Sequence, residues 1–193
     1  MADSTSQGAV DPDAIGVPSP LFTAQIERLV EANRHGRVLD LACGRGRHAL
    51  AAARLGLNVL AVDRNAESLA TLEAALAKDF PSRFETRAVD LETEAAPDLP
   101  PEPFGAILVF RYLHRPLMPW IESRLATGGV LLYETFTTDQ RTLGWGPKRD
   151  DFLLEPGELP TLFPNLEVLH FEEGLSEDPR PAHTARLLAT RSR

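Results

Sequence analysis

A single cysteine, Cys43, is all the sequence holds. That excludes an internal disulfide and a metal site made of cysteines alone. No apolar run reaches membrane-spanning length, and the first residues lack the basic-then-apolar order of a secretory signal. A cytoplasmic protein is the expectation. Positive charge is in deficit: 20 Lys and Arg against 28 Asp and Glu leave a formal net charge of -8. Such a chain has no general attraction for a phosphate backbone or an anionic membrane. Membranes are excluded and nucleic acid is disfavoured as partners, leaving small molecules; the oligomeric state is open. No G-x-x-x-x-G-K-[ST] run occurs, which disfavours a P-loop nucleotidase. The five histidines show no H-E-x-x-H or similar spacing, so no metal is expected.

What is present fits one folded domain. The length of 193 residues allows a sizeable core and is too short for two comfortable domains. Positions 1–17 are small, polar and acidic and read as a loose tail, with the domain over 18–193. Ser19-Pro20 has the form of a helix start, cap then proline. Leu21, Phe22, Ile26, Leu29 and Val30 then share a helical face up to Gly36. Apolar runs predict strands over 38–41, 57–62, 84–89, 104–110 and 130–136. Helices are predicted between them: an alanine-rich one over 49–54, one capped by Asn65, and one over 116–125. The Asn65-capped helix carries Leu69, Leu72, Leu76 and Phe80 on one face, with Pro81 after its end. The stretch 92–103 is acidic and proline-rich and reads as a surface loop. The alternation breaks at Thr137; the polar stretch 137–155 is long enough to be a functional loop, and reads as a lid. A short helix over 156–163 and an antiparallel strand pair at 166–171 and 185–189 complete the chain. The fold class is therefore α/β, a doubly wound, mostly parallel sheet in a single domain.

The most informative stretch is Val38-Leu-Asp-Leu-Ala-Cys-Gly-Arg-Gly-Arg-His48. A strand ends at an acid, turns through Gly44 and Gly46, and enters a helix. Such a turn brings backbone N–H groups and a helix N-terminus to the carboxyl end of a strand, where open α/β sheets bind nucleotide-like ligands. The spacing Gly44-x-Gly46-x-x-Ala49 also satisfies the dinucleotide fingerprint. Asp40 argues against that ligand, because a carboxylate beside a pyrophosphate is repelled. Beside an amino-acid-bearing nucleoside it is favourable. Two further acids, Asp63 and Asp90, close the second and third strands, and parallel strands bring all three to one rim. Asp63 follows Gly44 at close to the spacing at which an acid meets a ribose diol. An NAD(P) oxidoreductase would use the turn and Asp63 and leave Asp40 and Asp90 unexplained.

Asp40-Leu-Ala-Cys-Gly-Arg-Gly46 resembles the first motif of class I S-adenosylmethionine (SAM) methyltransferases, with Ala42 where many members have glycine. The resemblance spans position 21 to the C-terminus and implies a Rossmann-like, seven-stranded sheet with an antiparallel last strand. It implies SAM as cofactor. Asp40, with the backbone of Ala42, Gly44 and Gly46, would hold the methionine end. Asp63 would grip the ribose, Arg64 would lie along the adenine, and Asp90 and the Leu91 N–H would meet the adenine edge. Phe110 and Arg111 would flank the sulfonium and the acceptor. Arg111-Tyr-Leu-His-Arg-Pro-Leu117 and Leu132-Tyr-Glu-Thr-Phe-Thr137 resemble a narrower group, bacterial methyltransferases akin to the tellurite-resistance methyltransferase, which is associated with tellurium and selenium oxyanions. Transfer to a small acceptor, anionic or oxyanionic, is the leading expectation. His114 is the candidate proton acceptor, with a helix-capping role as its alternative. Arg111 and Arg115 are candidates to clamp an anion, or to pair with Glu134 or surface acids. A SAM-binding module without catalysis is the competing function.

Overall fold

The computed structural model describes residues 15–76, 83–177 and 180–192. Predicted features at positions 1–14, and Phe80 and Pro81, lie outside the described residues. The element order is α1 (Pro20–Ala24), α2 (Ile26–Ala32), β1 (Val38–Leu41), α3 (Arg47–Arg54), β2 (Val59–Asp63), α4 (Ala66–Leu76) and β3 (Phe84–Ala88), then β4 (Phe104–Phe110), α5 (Met118–Arg124), β5 (Leu125–Phe136), α6 (Glu158–Thr161), β6 (Glu167–Ser176) and β7 (Ala182–Thr190). The strands form one seven-stranded sheet in the order β3-β2-β1-β4-β5-β7-β6. The first five strands run parallel; β7 lies antiparallel between β5 and β6.

Strand periodicity sends alternate residues to opposite layers. Leu39 and Leu41 join Ile107, Val109 and Tyr133 against α5 and α6, where Met118, Ile121 and Leu159 close the core. Val38 joins Ala61, Leu108 and Leu132 against the other layer, filled by Phe22, Leu29, Ala49, Ala53 and Leu72. Asp40 shares the alternation of Val38 and so faces the underside of α3. The strand order reverses direction at β1, between β2 and β4, which is the switch point where α/β sheets open a crevice at their carboxyl ends.

Helix starts follow the sequence signals. The Ser19 hydroxyl accepts from the Leu21 N–H at 3.2 Å, and the Asn65 side chain accepts from Ser68 N–H at 3.0 Å. Two readings change. The first helical stretch is broken at Gln25 into α1 and α2, so the face drifts and Val30 is 43% exposed. Ile15, inside the stretch read as a tail, is buried against the α-helical layer. No helix among the described residues is long and apolar enough to cross a membrane.

Candidate active site

Three consecutive turns of backbone build the site's floor. After β1 the chain passes through Ala42 (φ 54°), Gly44 (φ 55°) and Gly46 (φ 77°), all left-handed. At Gly46 packing also requires glycine, since a Cβ there would lie 2.2 Å from the Leu72 side chain. A Cβ at Gly44 would meet nothing within 4 Å; the space above that residue belongs to the site. Ala42 takes the left-handed region despite its methyl group, at a cost of about 1–2 kcal/mol. Asp63 ties the turn to β2: its Oδ2 accepts from the Gly44 N–H at 2.8 Å, and its Oδ1 from the Asn65 N–H at 2.9 Å.

Two hollows flank this floor. The first, about 180 Å³, gathers Asp63, Arg64, Asp90 and Leu91 with Ala42, Arg111 and Tyr112. Arg64 and Glu92 form an ion pair at 3.7 Å beside it. The Tyr112 hydroxyl is buried without a hydrogen-bond partner among the described residues. Burial, then the nearby Glu92 and Asp90 charges, hold its proton on well above the usual phenol range. The second hollow, about 360 Å³, gathers Asp40, Cys43, Gly44, Gly46, Arg47, His48 and Phe110, again with Ala42 and Arg111. Those two shared residues mark the junction. Five of the predicted cofactor residues line the first hollow and five the second, with Ala42 in both.

The acids do not share one rim equally. Asp63 and Asp90 open to the first hollow, whereas Asp40 is 1% exposed and its Oδ2 accepts from the Ala49 N–H at 2.9 Å, holding the start of α3. Burial raises its pKa to about 7 against the lowering pull of that hydrogen bond and of Arg47. Burial, then Asp40 and Asp63, also push the Cys43 thiol far up, so it sits in the turn as an unreactive small side chain.

The predicted acceptor-facing trio divides: Arg111 lines the two hollows at the glycine turn, whereas His114 and Arg115 line a third. Arg111 is a non-glycine residue at φ 58°. Its N–H donates to the Glu134 carbonyl at 2.7 Å, and its guanidinium lies 5.7 Å from the Phe136 ring centre. It has no carboxylate partner among the described residues. Arg115 is the opposite case and takes the alternative of pairing with an acid, Glu158. Its Nε donates to Glu158 Oε1 at 2.5 Å and its Nη2 to Glu158 Oε2 at 2.8 Å and to the Leu153 carbonyl at 2.9 Å. With its Nη1 also donating to the Asp151 carbonyl at 3.3 Å, four of its five N–H groups brace the loop and α6. His114 lies in a third hollow of about 410 Å³ with Arg149, Asp151 and Phe152, bordering the first through Glu92. Its carbonyl accepts from the Leu117 N–H at 3.0 Å.

The stretch 137–155 is folded down rather than poised as a free lid. Buried Gln140 accepts from the His183 N–H at 2.8 Å and donates to the Trp145 carbonyl at 3.0 Å. Trp145 meets Phe136 edge-on at 5.7 Å between ring centres, and its Nε1 donates to the Pro181 carbonyl at 3.1 Å.

Sequence reasoning missed His48. Its ring stacks on Phe110 at 3.7 Å, and its Nε2 accepts from the Ser19 N–H at 3.1 Å. Burial, then Arg47 and Arg111, keep it neutral, so the proton resides on Nδ1. The Ser19 hydroxyl donates to Glu134 at 2.5 Å, and Arg186 donates to the same carboxylate oxygen at 3.1 Å. This chain of bonds fastens the start of α1 over the second hollow. Arg47 was also missed, its sequence signal being adjacency to Gly46; Tyr112 stood within the Arg111–Leu117 run without a role of its own.

Residues 21–180 match the family described as Tellurite resistance protein TehB. The chain belongs to the TehB family. Solved structures agree on the fold. TehB from Haemophilus influenzae superposes with a TM-score of 0.66 at 21% identity, over 86% of this chain and 62% of its own. The chain thus spans less than two thirds of that TehB. The CcbJ methyltransferase from Streptomyces caelestis gives 0.68 at 15% identity, over 94% of this chain and 92% of its own. The glycopeptide N-methyltransferase MtfA, solved with S-adenosylhomocysteine (SAH), gives 0.59 at 18% identity, over 87% and 90%. No curated protein matches the sequence.

Proposed function

We propose that the chain binds SAM across the two hollows and transfers its methyl group to a small anionic acceptor, an oxyanion being the leading candidate. One observation carries this reading. Two hollows of different chemistry meet at Ala42 and Arg111, above a glycine whose missing Cβ leaves open space. An elongated ligand with a sugar and base at one end and a charged amino-acid group at the other fits that arrangement. Asp63 and Asp90 provide acceptors for a diol and an exocyclic amine, with Arg64 and the Leu91 backbone beside them. Asp40 acts through α3, whose first amides and the turn before it face the methionine end.

SAM, when bound, supplies a methyl group on a positive sulfur that departs as sulfide. The protein's work is then alignment and exclusion of water. Arg111, at the junction beside Phe110 and without a carboxylate partner among the described residues, holds the acceptor by its charge and planar fork. A dedicated base is unnecessary for an acceptor already ionised, and neutral His48 cannot take up a proton. His114 would serve a protonated acceptor only from the neighbouring hollow.

Titration calorimetry with SAM, SAH and NADH tests the donor; binding of NADH and not SAM overturns the reading. Transfer of labelled methyl to selenite or tellurite tests the acceptor class, with neutral thiols as the contrast. Binding of SAM with no transfer to any small acceptor leaves a SAM-binding module.

A further inference from the structure

The stretch 137–155 folds against the end of β5, and what it holds there is one aromatic ring. Phe136 is the last residue of β5 and is buried. Trp145 meets it edge-on, with the ring planes at 88°. Trp145 is itself fastened in three ways. Its Nε1 donates to the Pro181 carbonyl, its own carbonyl accepts from the side-chain amide of buried Gln140, and the Arg180 guanidinium lies 4.1 Å from its ring centre. A ring packed in this way keeps a fixed plane.

Arg111 is the charged group that this ring meets. The sheet register sets Phe110 opposite Glu134. The next N–H, that of Arg111, donates to the Glu134 carbonyl, which brings the residue alongside the end of β5. Its guanidinium then lies 5.7 Å from the Phe136 ring centre. An exposed arginine without an ion pair normally spreads over many rotamers, and confining it costs side-chain entropy. No acid confines Arg111 among the described residues. The Glu134 carboxylate receives Ser19 and Arg186, and Arg47, which shares the second hollow, repels it. A ring attracts a guanidinium without neutralising it. Arg111 is therefore held in direction while its charge and planar fork stay free for a ligand. The Arg115–Glu158 pair fixes direction by the opposite means, occupying the fork. We propose that Phe136, held in place by Trp145, is a positioning residue that aims Arg111 into the junction of the two hollows and so sets the site's preference for an anionic acceptor. The inference deepens the acceptor reading above, on which the choice of probe rests, and makes 137–155 a buttress for one ring.

The test is a double-mutant cycle on the binding of selenite to the SAH-loaded chain, measured by calorimetry. Phe136→Leu should weaken selenite binding about three- to fivefold, the size of a cation–π contact at an exposed site, with SAH affinity unchanged. Phe136→Tyr, which keeps the ring, should retain most of the wild-type affinity. In an Arg111→Gln chain, Phe136→Leu should have no further effect, because the ring acts only through the guanidinium. A full additional loss there overturns the proposal, as does unchanged selenite affinity in Phe136→Leu alone. A parallel fall in selenite and SAH affinity marks Phe136 as a packing residue and overturns it too. If the wild type binds no selenite, with or without SAH, the oxyanion reading fails, and the aim of Arg111 is read directly. Nitrogen-15 relaxation at Arg111 Nε should then show a rigid side chain in the wild type and a mobile one in Phe136→Leu. Equal mobility in the two chains overturns the proposal.

Discussion

Arg111 and Arg115 are four residues apart and equally basic, yet the fold gives them opposite employment. Arg111 follows β4 in a left-handed conformation and lines two hollows with no ion-pair partner among the described residues. Arg115 is locked to Glu158 and to loop carbonyls. The same contrast divides the whole molecule. On the flank built from 137–155, α6 and the β6–β7 hairpin, charges are paired: Arg141 with Asp150, Arg149 with Asp151, Arg186 with Glu134 and Glu172. Around the glycine turn, groups stand in states that folding alone does not favour: a buried Asp40, an unbonded Tyr112 hydroxyl, left-handed Ala42 and Arg111. Strain of this kind concentrates where a ligand is bound.

The comparison breaks first at Asp40. Its folded pKa of about 7 lies above its unfolded value, so the folded chain holds a proton that the unfolded chain releases. The associated stability is present below pH 4 and is lost as pH rises through about 7. Asp40→Asn, which keeps an acceptor for the Ala49 N–H, should be the more stable chain above pH 7, by up to about 4 kcal/mol. Thermal unfolding from pH 4 to 8 checks this: wild type should lose Tm across the range relative to the variant. Parallel curves would mean Asp40 is ionised throughout.

Asp63→Ala comes next. It removes the brace on Gly44 and the predicted ribose contact together, and SAM affinity should fall at least about tenfold, as charged hydrogen bonds of roughly 1.5–3 kcal/mol require. Unchanged calorimetric affinity would remove Asp63 from the site. Arg115→Ala should show the opposite profile. It should destabilise by about 2 kcal/mol, lowering Tm by a few degrees, while SAM affinity stays within about twofold. A large loss of methyl transfer at unchanged Tm and unchanged SAM affinity would restore Arg115 to the acceptor site. The smallest effect is expected at Ala42→Gly. Relief of the left-handed strain is partly offset by a freer unfolded chain, leaving a gain of a few tenths of a kcal/mol, about 1 °C in Tm. A clear loss would show that the methyl group packs usefully against the hydrophobic layer of α5.

Much of this architecture was legible. Residues 104–110 read as a strand because seven consecutive apolar or small residues stand between a proline-rich loop and a charge, and β4 occupies that span. The caps at Ser19 and Asn65 were visible because their signals are local. The glycine turn and the acids after β2 and β3 were legible for the same reason. What failed depended on partners distant in sequence. Glu158 lies 43 positions beyond Arg115, and the Ser19–His48 bond spans 29; no local pattern announces either. The 137–155 stretch read as a lid because it is polar, but buried Gln140 satisfies two backbone groups from inside it. Asp40 was placed on the rim because it stands near a strand end; the two-residue alternation, which points it under α3, outranks that position.

The position of β7 has a bearing on synthesis. Latest in order among the strands, it lies inside the sheet, with β5 on one side and β6 on the other. A chain emerging from the ribosome therefore carries β5 with a bare hydrogen-bonding edge until β6 and β7 have both been translated, and Glu134 waits that long for Arg186. During that interval the nascent protein is most exposed to mispairing and to chaperones.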